Sequence, residues 1–283
     1  MVRHKTLLRV PLQGLGYVVL IAVALTMVIP FVWMITISLK PSGSTFTYPP
    51  DLIPRQFAWS NYQQLFTMEP FGQYFANTAI VTTLTVAGQL LICSMAAYAF
   101  ARLTFMGRNV IFLLYLATMM IPFQITMIPT YLIVFKIGWV NTYQGLIVPG
   151  ISSAFGIFLL RQAFLGIPAD YQAAARIDGA GEWTIFLRIF LPLSGPALAT
   201  LGVFAFLASW TDLLWPLLIV RDQGLRTLEL GLAYFNATSS AFQQPNWPLV
   251  MAASVVVMLP VLAVYFGAQR YFVAGISLSG VKG

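Results

Sequence analysis

The chain has 283 residues, 59% of them hydrophobic and only 8% charged, against roughly a quarter charged in an ordinary soluble domain. Fifteen Lys and Arg with eight Asp and Glu, at net charge +7, cannot coat the surface of a water-soluble fold this apolar. A mean hydropathy of +0.83 therefore excludes a cytosolic enzyme, a secreted domain and a disordered chain, and leaves an integral membrane protein.

Uncharged runs cover 10–39, 70–101, 109–135, 137–160 and 230–269, and 189–220 carries one charge, Asp212. A bilayer core about 30 Å thick takes about 20 apolar residues as a helix. The runs are continuous, unlike the short alternating segments of a membrane barrel. Six helices are predicted, at about 14–37, 76–101, 109–128, 142–161, 194–220 and 248–270. The fold class is all-α and polytopic, with a tail over 1–13, a transmembrane domain over 14–270 and a second tail over 271–283.

In chain order, Arg3, Lys5 and Arg9 precede the first run as they would in a signal peptide. That run is longer than a signal core and lacks a small-residue cleavage site, so it is read as a retained span. The following loop, 40–75, is rich in Pro, Ser and Thr and carries Phe46, Tyr48, Phe57, Trp59, Tyr62 and Phe66. These aromatics suit an interfacial belt or a docking surface for an external partner. In the third helix Pro122 and Pro129 flank Gln124 and Thr126. Two prolines interrupt the hydrogen-bond ladder, which is tolerated where protein or water satisfies the backbone. Gln124 and Thr126 face either a polar cavity or a neighbouring helix. Pro149, Pro216 and Pro260 mark bends in later helices.

The connection 162–193 is the most informative. Pro168 suits a first helical turn and Asp170 complements its dipole. Gln172 to Ile177 form helix with small side chains at Ala173, Ala174 and Ala175, beside Arg176. Asp178-Gly179 ends it, with Gly179 placed for a positive φ. Ala180 follows, and a second amphipathic segment stops at Pro192. Two short helices meeting at a glycine bend, with an alanine face, are shaped to press into another protein; an ordinary connector is the plainer alternative.

Asp212 in the fifth helix is costly within a bilayer and therefore faces the bundle or a water cavity. It bonds either a neighbouring helix or a solute. The external loop 221–247 carries Asn236, Gln243, Gln244 and Asn246, the candidates for contact with an external partner.

Six spans put both termini on one side. That side holds ten Lys and Arg against five opposite, so the positive-inside rule makes the termini cytoplasmic. The same bias, with anionic lipid headgroups, accounts for the net charge without nucleic acid. Cys93 and His4 are single, which leaves no disulfide, no metal site and no catalytic cluster. None of the four lysines stands in a Gly-Lys-Ser/Thr sequence, so the chain has no Walker motif. Asp212 alone makes no proton relay. Energy must come from another subunit.

Ala-Ala-Arg-Ile-Asp-Gly-Ala at 174–180, with Ile-Phe-Leu-Pro-Leu nine residues on, resembles the "EAA" signature of ATP-binding-cassette importer permeases. Trp210-Thr211-Asp212-Leu213-Leu214-Trp215-Pro216-Leu217 is similar to a segment of carbohydrate-uptake permeases. Asn77-Thr78, Ala97 to Arg102 and the terminal Val281-Lys282-Gly283 are similar too. The chain resembles the second, six-helix permease of maltose and glycerol-3-phosphate importers. The resemblance implies a prokaryotic inner-membrane subunit working with a second permease, two ATPase subunits and an extracytoplasmic solute-binding protein. It implies that Gln172, Ala173, Ala174, Ala175, Arg176, Asp178, Gly179, Ala180 and Pro192 belong to the ATPase-coupling loop. ATP and Mg2+ are then used by the ATPases, with no cofactor on this chain. The pathway candidates are Gln124, Thr126, Trp210, Asp212 and Trp215. The glutamate naming the signature falls at Ala173, and Thr211 stands where asparagine is common.

Overall fold

Backbone amides in an apolar run have no water to bond, so their hydrogen bonds close within helices. The computed structural model describes residues 4–43, 53–242 and 246–280, and among them no strand occurs. The helices in order are α1 His4–Ser38, α2 Ser60–Met68, α3 Phe71–Arg102, α4 Arg108–Ala117, α5 Phe123–Lys136, α6 Tyr143–Ile147 and α7 Ala154–Gly166. They continue as α8 Ala169–Ile177, α9 Glu182–Ile185, α10 Leu191–Leu193, α11 Gly195–Trp210, α12 Leu214–Ile219, α13 Leu228–Phe242 and α14 Trp247–Gly280.

Three stretches are single helices long and apolar enough to cross a bilayer: Gly16–Ser38, Phe71–Arg102 and Trp247–Gln269. The other predicted helices are not continuous. Three helix pairs are bent at short breaks: Arg108–Met120 with Phe123–Lys136 by 105°, Tyr143–Gly150 with Ala154–Gly166 by 44°, and Glu182–Leu193 with Gly195–Trp210 by 78°, the last break falling at the start of the predicted fifth helix. Pro122 causes the first break: it sits at the α5 N-cap with ψ 138° and has no N–H to carry the ladder on. Pro129, by contrast, is held inside α5, and Pro260 inside α14. Pro149 lies in the 3-10 turn at the second break. In the fifth predicted helix the interruption falls at 211–213, before Pro216 rather than at it. The last turn of the inner connection likewise passes through Pro192 and ends at Ser194.

The chain divides into two compact units. The first comprises 1–70 and 232–258. There the Asn61 amide donates to the carbonyls of Ser38 at 2.8 Å and Lys40 at 2.9 Å, which staples α2 to the end of α1. Ser38 and Tyr62 share a hydroxyl bond of 2.8 Å, and the Lys40 ammonium sits 5.6 Å over the Trp33 ring. None of the most apolar α1 window is buried, as suits a surface turned to lipid or another membrane chain.

The second unit comprises 71–231 and 259–283. Its axis is α3, packed chiefly against α7 and α11. Helices in a membrane associate through close packing of small residues, and Gly156 on α7 meets that need. A Cβ there would stand 2.9 Å from Leu201 Cδ1 and 3.2 Å from Cys93 Sγ. One apolar cluster gathers Cys93, Tyr98, Leu160, Phe164, Phe186 and Phe190. Another gathers Val134, Leu146, Trp215, Ile219 and Leu230.

Candidate functional site

The inner connection folds as two arms about a bend. The first arm, α8, opens after Pro168 with Asp170 in its first turn. It ends where Gly179 takes φ +80°, the left-handed region that favours a residue without Cβ. The bend is closed by Asp178 N to Ala174 O at 3.0 Å and Ala180 N to Ala175 O at 2.9 Å. Ala173, Ala174, Asp178 and Gly179 are exposed, whereas Ala175 and Ala180 pack against the aromatic cluster. The alanine face is thus split, half inward and half outward. Ile177, at the tip, is 86% exposed, and Tyr171 and Trp183 flank it on the surface.

The second arm begins at Glu182, whose carboxylate joins three parts of the chain. Tyr98 on α3 donates to Oε2 at 2.6 Å. Arg176 on α8 donates to Oε1 from Nη2 at 2.6 Å and from Nε at 3.0 Å. The buried amide of Gln172 stands beside the same carboxylate without a hydrogen bond of full geometry. The Tyr98 hydrogen bond, against some opposing desolvation and with Arg176 adding to it, holds the Glu182 carboxyl below the usual glutamate range. It is therefore an anion at neutral pH. Beyond it, Phe186–Phe190 is a π-turn, with Leu191 N bonded to Phe186 O. The widening precedes Pro192, whose ring would crowd the Arg188 carbonyl in a regular turn.

A cavity of about 160 Å³ lies in the same unit, walled by α3, α11, α12 and the starts of α5 and α7's preceding turn. Asp212 and Trp215 line it, together with Thr78, Thr85, Gln89, Ser209, Thr227 and Phe123. Asp212 falls in the break between α11 and α12, where its Oδ1 accepts from Trp215 N at 3.3 Å. The carboxylate thus serves the exposed start of α12 and not a neighbouring helix. Trp215 is locked by its indole N–H on the Gly145 carbonyl at 2.9 Å. The Thr85 and Thr227 hydroxyls are buried and lack a protein partner.

One cavity wall is held by Asn77. Its amide donates to the carbonyls of Gly224 and Arg226, both at 2.9 Å, and Tyr143 donates to its oxygen at 2.7 Å. Thr78 accepts from Leu228 N at 2.7 Å. Together they fix the segment that carries Thr227.

Of the five pathway candidates, two line this cavity. Gln124 and Thr126 are exposed and outside it, and the Thr126 hydroxyl is spent on the Phe123 carbonyl at 3.0 Å. Trp210 is buried against Phe75 and Phe206, with centroids at 5.5 and 5.3 Å. Of the external candidates, Asn236 is exposed, Asn246 bonds Ser42 at 3.1 Å, and Gln243 and Gln244 lie outside the described residues. The polar liners Thr78, Thr85 and Gln89 escaped sequence reading, although their spacing of seven and four sets them along one face of an apolar helix. Tyr98 and Glu182 also escaped it as a pair.

The family described as "Binding-protein-dependent transport system inner membrane component" matches over residues 89–278. The chain is 37% identical over 264 residues to the arabinooligosaccharides transport system permease protein AraQ of Halalkalibacterium halodurans, covering 92% of this chain and 93% of that one. It is 33% identical over 267 residues to the sn-glycerol-3-phosphate transport system permease protein UgpE of Pectobacterium atrosepticum, covering 92% and 94%. A chain of a bacterial ABC transporter involved in import of the acidic polysaccharide alginate superposes with TM-score 0.82 at 26% identity, over 93% of this chain and 97% of that one.

Proposed function

From the premise that this chain belongs to the family of binding-protein-dependent transport system inner membrane components, we propose that it is the permease subunit of an ATP-driven importer for a sugar, oligosaccharide, sugar-phosphate or glycosylated polyol. The observation that carries this is similarity along nearly the whole chain to permeases named for arabinooligosaccharides and sn-glycerol-3-phosphate, joined to a knuckle with an apolar tip. Three long helices, the first two bent pairs and α11 with α12 supply six spans, with the Lys and Arg bias putting both termini in the cytoplasm. The knuckle at 168–183 then faces the cytoplasm, where Ile177 and Trp183 offer an exposed apolar contact to an ATPase subunit. ATP and Mg2+ belong to two such subunits. A second permease covers the exposed apolar helices, and the segment 221–247, which the structure folds mostly as the helix α13 and not as a loop, reaches a solute-binding protein through Asn236, Gln243, Gln244 and Asn246. The tail 271–283 contacts the ATPase pair.

The Asp212 cavity is the pathway candidate within this half. A carboxylate, polar side chains at Thr78, Gln89 and Ser209, and aromatic walls at Trp215 and Phe123 match the hydrogen-bonding and stacking surfaces of a polyhydroxylated solute. The cycle is alternating access, driven by the ATPases closing against the knuckle.

Partner dependence tests the reading. The purified subunit alone should neither hydrolyse ATP nor move solute. Co-purified with its sister permease, ATPases and binding protein, it should show ATPase activity stimulated by the loaded binding protein. Solute uptake into liposomes by the isolated subunit would overturn it.

A further inference from the structure

We infer that Tyr98 and Glu182 form a clamp by which α3 sets the orientation of the knuckle, so that both are positioning residues of the transport cycle; this rests on reading 168–183 as the ATPase-docking segment. Tyr98 is a phenol whose ring is fixed and whose oxygen is given one task. Its ring centroid lies 5.2 Å from Phe186, 5.2 Å from Phe190 and 6.3 Å from Phe164, and the residue is 5% exposed. The rings leave the hydroxyl one direction, and along it stands Glu182 Oε2 at 2.6 Å. A short hydrogen bond to an ionised oxygen is strong and directional.

The other carboxylate oxygen reaches back across the bend to Arg176. Phenol, carboxylate and guanidinium therefore tie α3 to the second arm and the second arm to the first. The Arg176–Glu182 pair is solvent-exposed, at 54% and 40%, and by itself holds little because water screens it. The buried phenol contact is what anchors the knuckle to the membrane helix. Arg102, one helical turn beyond Tyr98 on the same face, donates to the carbonyls of Phe164 and Ile167 at the entrance to the knuckle, with its guanidinium 4.8 Å over Phe190. One face of α3 thus grips both ends of the docking segment. The π-turn lies between Glu182 and the membrane helix α11, and its Phe186 and Phe190 are two of the rings that hold Tyr98. A push on the knuckle passes to α3 through this contact, and α3 walls the cavity further along with Thr78, Thr85 and Gln89.

The test uses the complete transporter in nanodiscs, in a Cys93→Ser, Ala208→Cys background that puts one cysteine in the cavity wall. Maleimide labelling is timed with and without MgATP and vanadate, so no transported solute is needed. With Tyr98 and Glu182 intact, nucleotide trapping should change the labelling rate at least five-fold. Tyr98→Phe, Glu182→Ala and the double variant should each cut that change below two-fold, the double no worse than either single because the phenol–carboxylate bond is lost in all three. Co-purified ATPase and trapped nucleotide should stay at the level of the parent with Tyr98 and Glu182 intact. A normal labelling response in either single variant overturns the clamp and leaves the docking reading standing. Loss of the ATPase subunit from the variants also overturns it, since the pair would then serve docking itself. If the parent complex retains no ATPase or shows no response to nucleotide, the docking reading fails and the clamp with it.

Discussion

Gly179 permits a graded test of the knuckle. Its φ of +80° is open to glycine and, at small cost, to asparagine. A Cβ built there meets nothing within 4 Å, so a substitution creates no clash inside the chain and its whole internal cost is backbone strain. That strain is about 1 kcal/mol for alanine and up to ~3 kcal/mol for a β-branched residue. If docking requires the bend as it stands, strain is relieved by opening the bend and reappears as lost affinity, tenfold for every 1.4 kcal/mol. Gly179→Asn should bind the ATPase subunit within about two-fold of wild type, Gly179→Ala about five-fold more weakly, and Gly179→Val between ~10-fold and ~100-fold more weakly. Membrane abundance should be unchanged, because Gly179 itself is exposed and an added Cβ meets nothing inside the chain. The assay is titration of the ATPase subunit onto membranes holding each variant, with solute uptake in whole cells alongside. Equal affinity for the asparagine, alanine and valine variants would show that the bend's shape is irrelevant to docking.

Other substitutions address the membrane interior. Asp212→Asn keeps an oxygen for the Trp215 amide and should assemble normally, while Asp212→Leu strips that acceptor, at about 1–3 kcal/mol for a stranded N–H, and should abolish uptake; wild-type uptake by the leucine variant removes Asp212 from the pathway. Gly156→Ala drives a methyl against Leu201 and Cys93 and should cost about 1–3 kcal/mol, whereas Gly202→Ala has only Leu90 near, at 3.9 Å, and should be neutral or stabilising by up to ~1 kcal/mol. Thermal unfolding in detergent separates the two, and a matching loss in both would refute the close-packing reading of Gly156.

What was legible in the chain was what is decided locally. An apolar run must close its own hydrogen bonds, so the three long apolar helices, Gly16–Ser38, Phe71–Arg102 and Trp247–Gln269, fall in runs marked out by the spacing between charges. The Pro168 start, the Asp178-Gly179 stop and the positive φ at Gly179 depend on a few adjacent residues, and these too were readable. Pro122 and Pro129 are the same residue type in the same predicted helix, yet one breaks it and the other is absorbed. The outcome depends on what packs around each, which spacing along the chain does not carry.

The rest needed the tertiary structure, because it joins residues far apart along the chain. Tyr98 and Glu182 are separated by 84 positions, and Asn77 reaches Gly224 across 147. Trp210 and Trp215 look alike in one short segment, but the break at 211–213 turns the first against Phe75 and Phe206 and the second onto the cavity wall. A helix's period is readable from its own residues; which side of it meets a neighbour is settled only when the helices pack. The sequence by itself determined a helical membrane protein with a short-helix knuckle built on a glycine bend. Only the tertiary structure decided which hydroxyls share a cavity with Asp212 and which phenol holds the knuckle, since those contacts arise from packing between helices that no local pattern encodes.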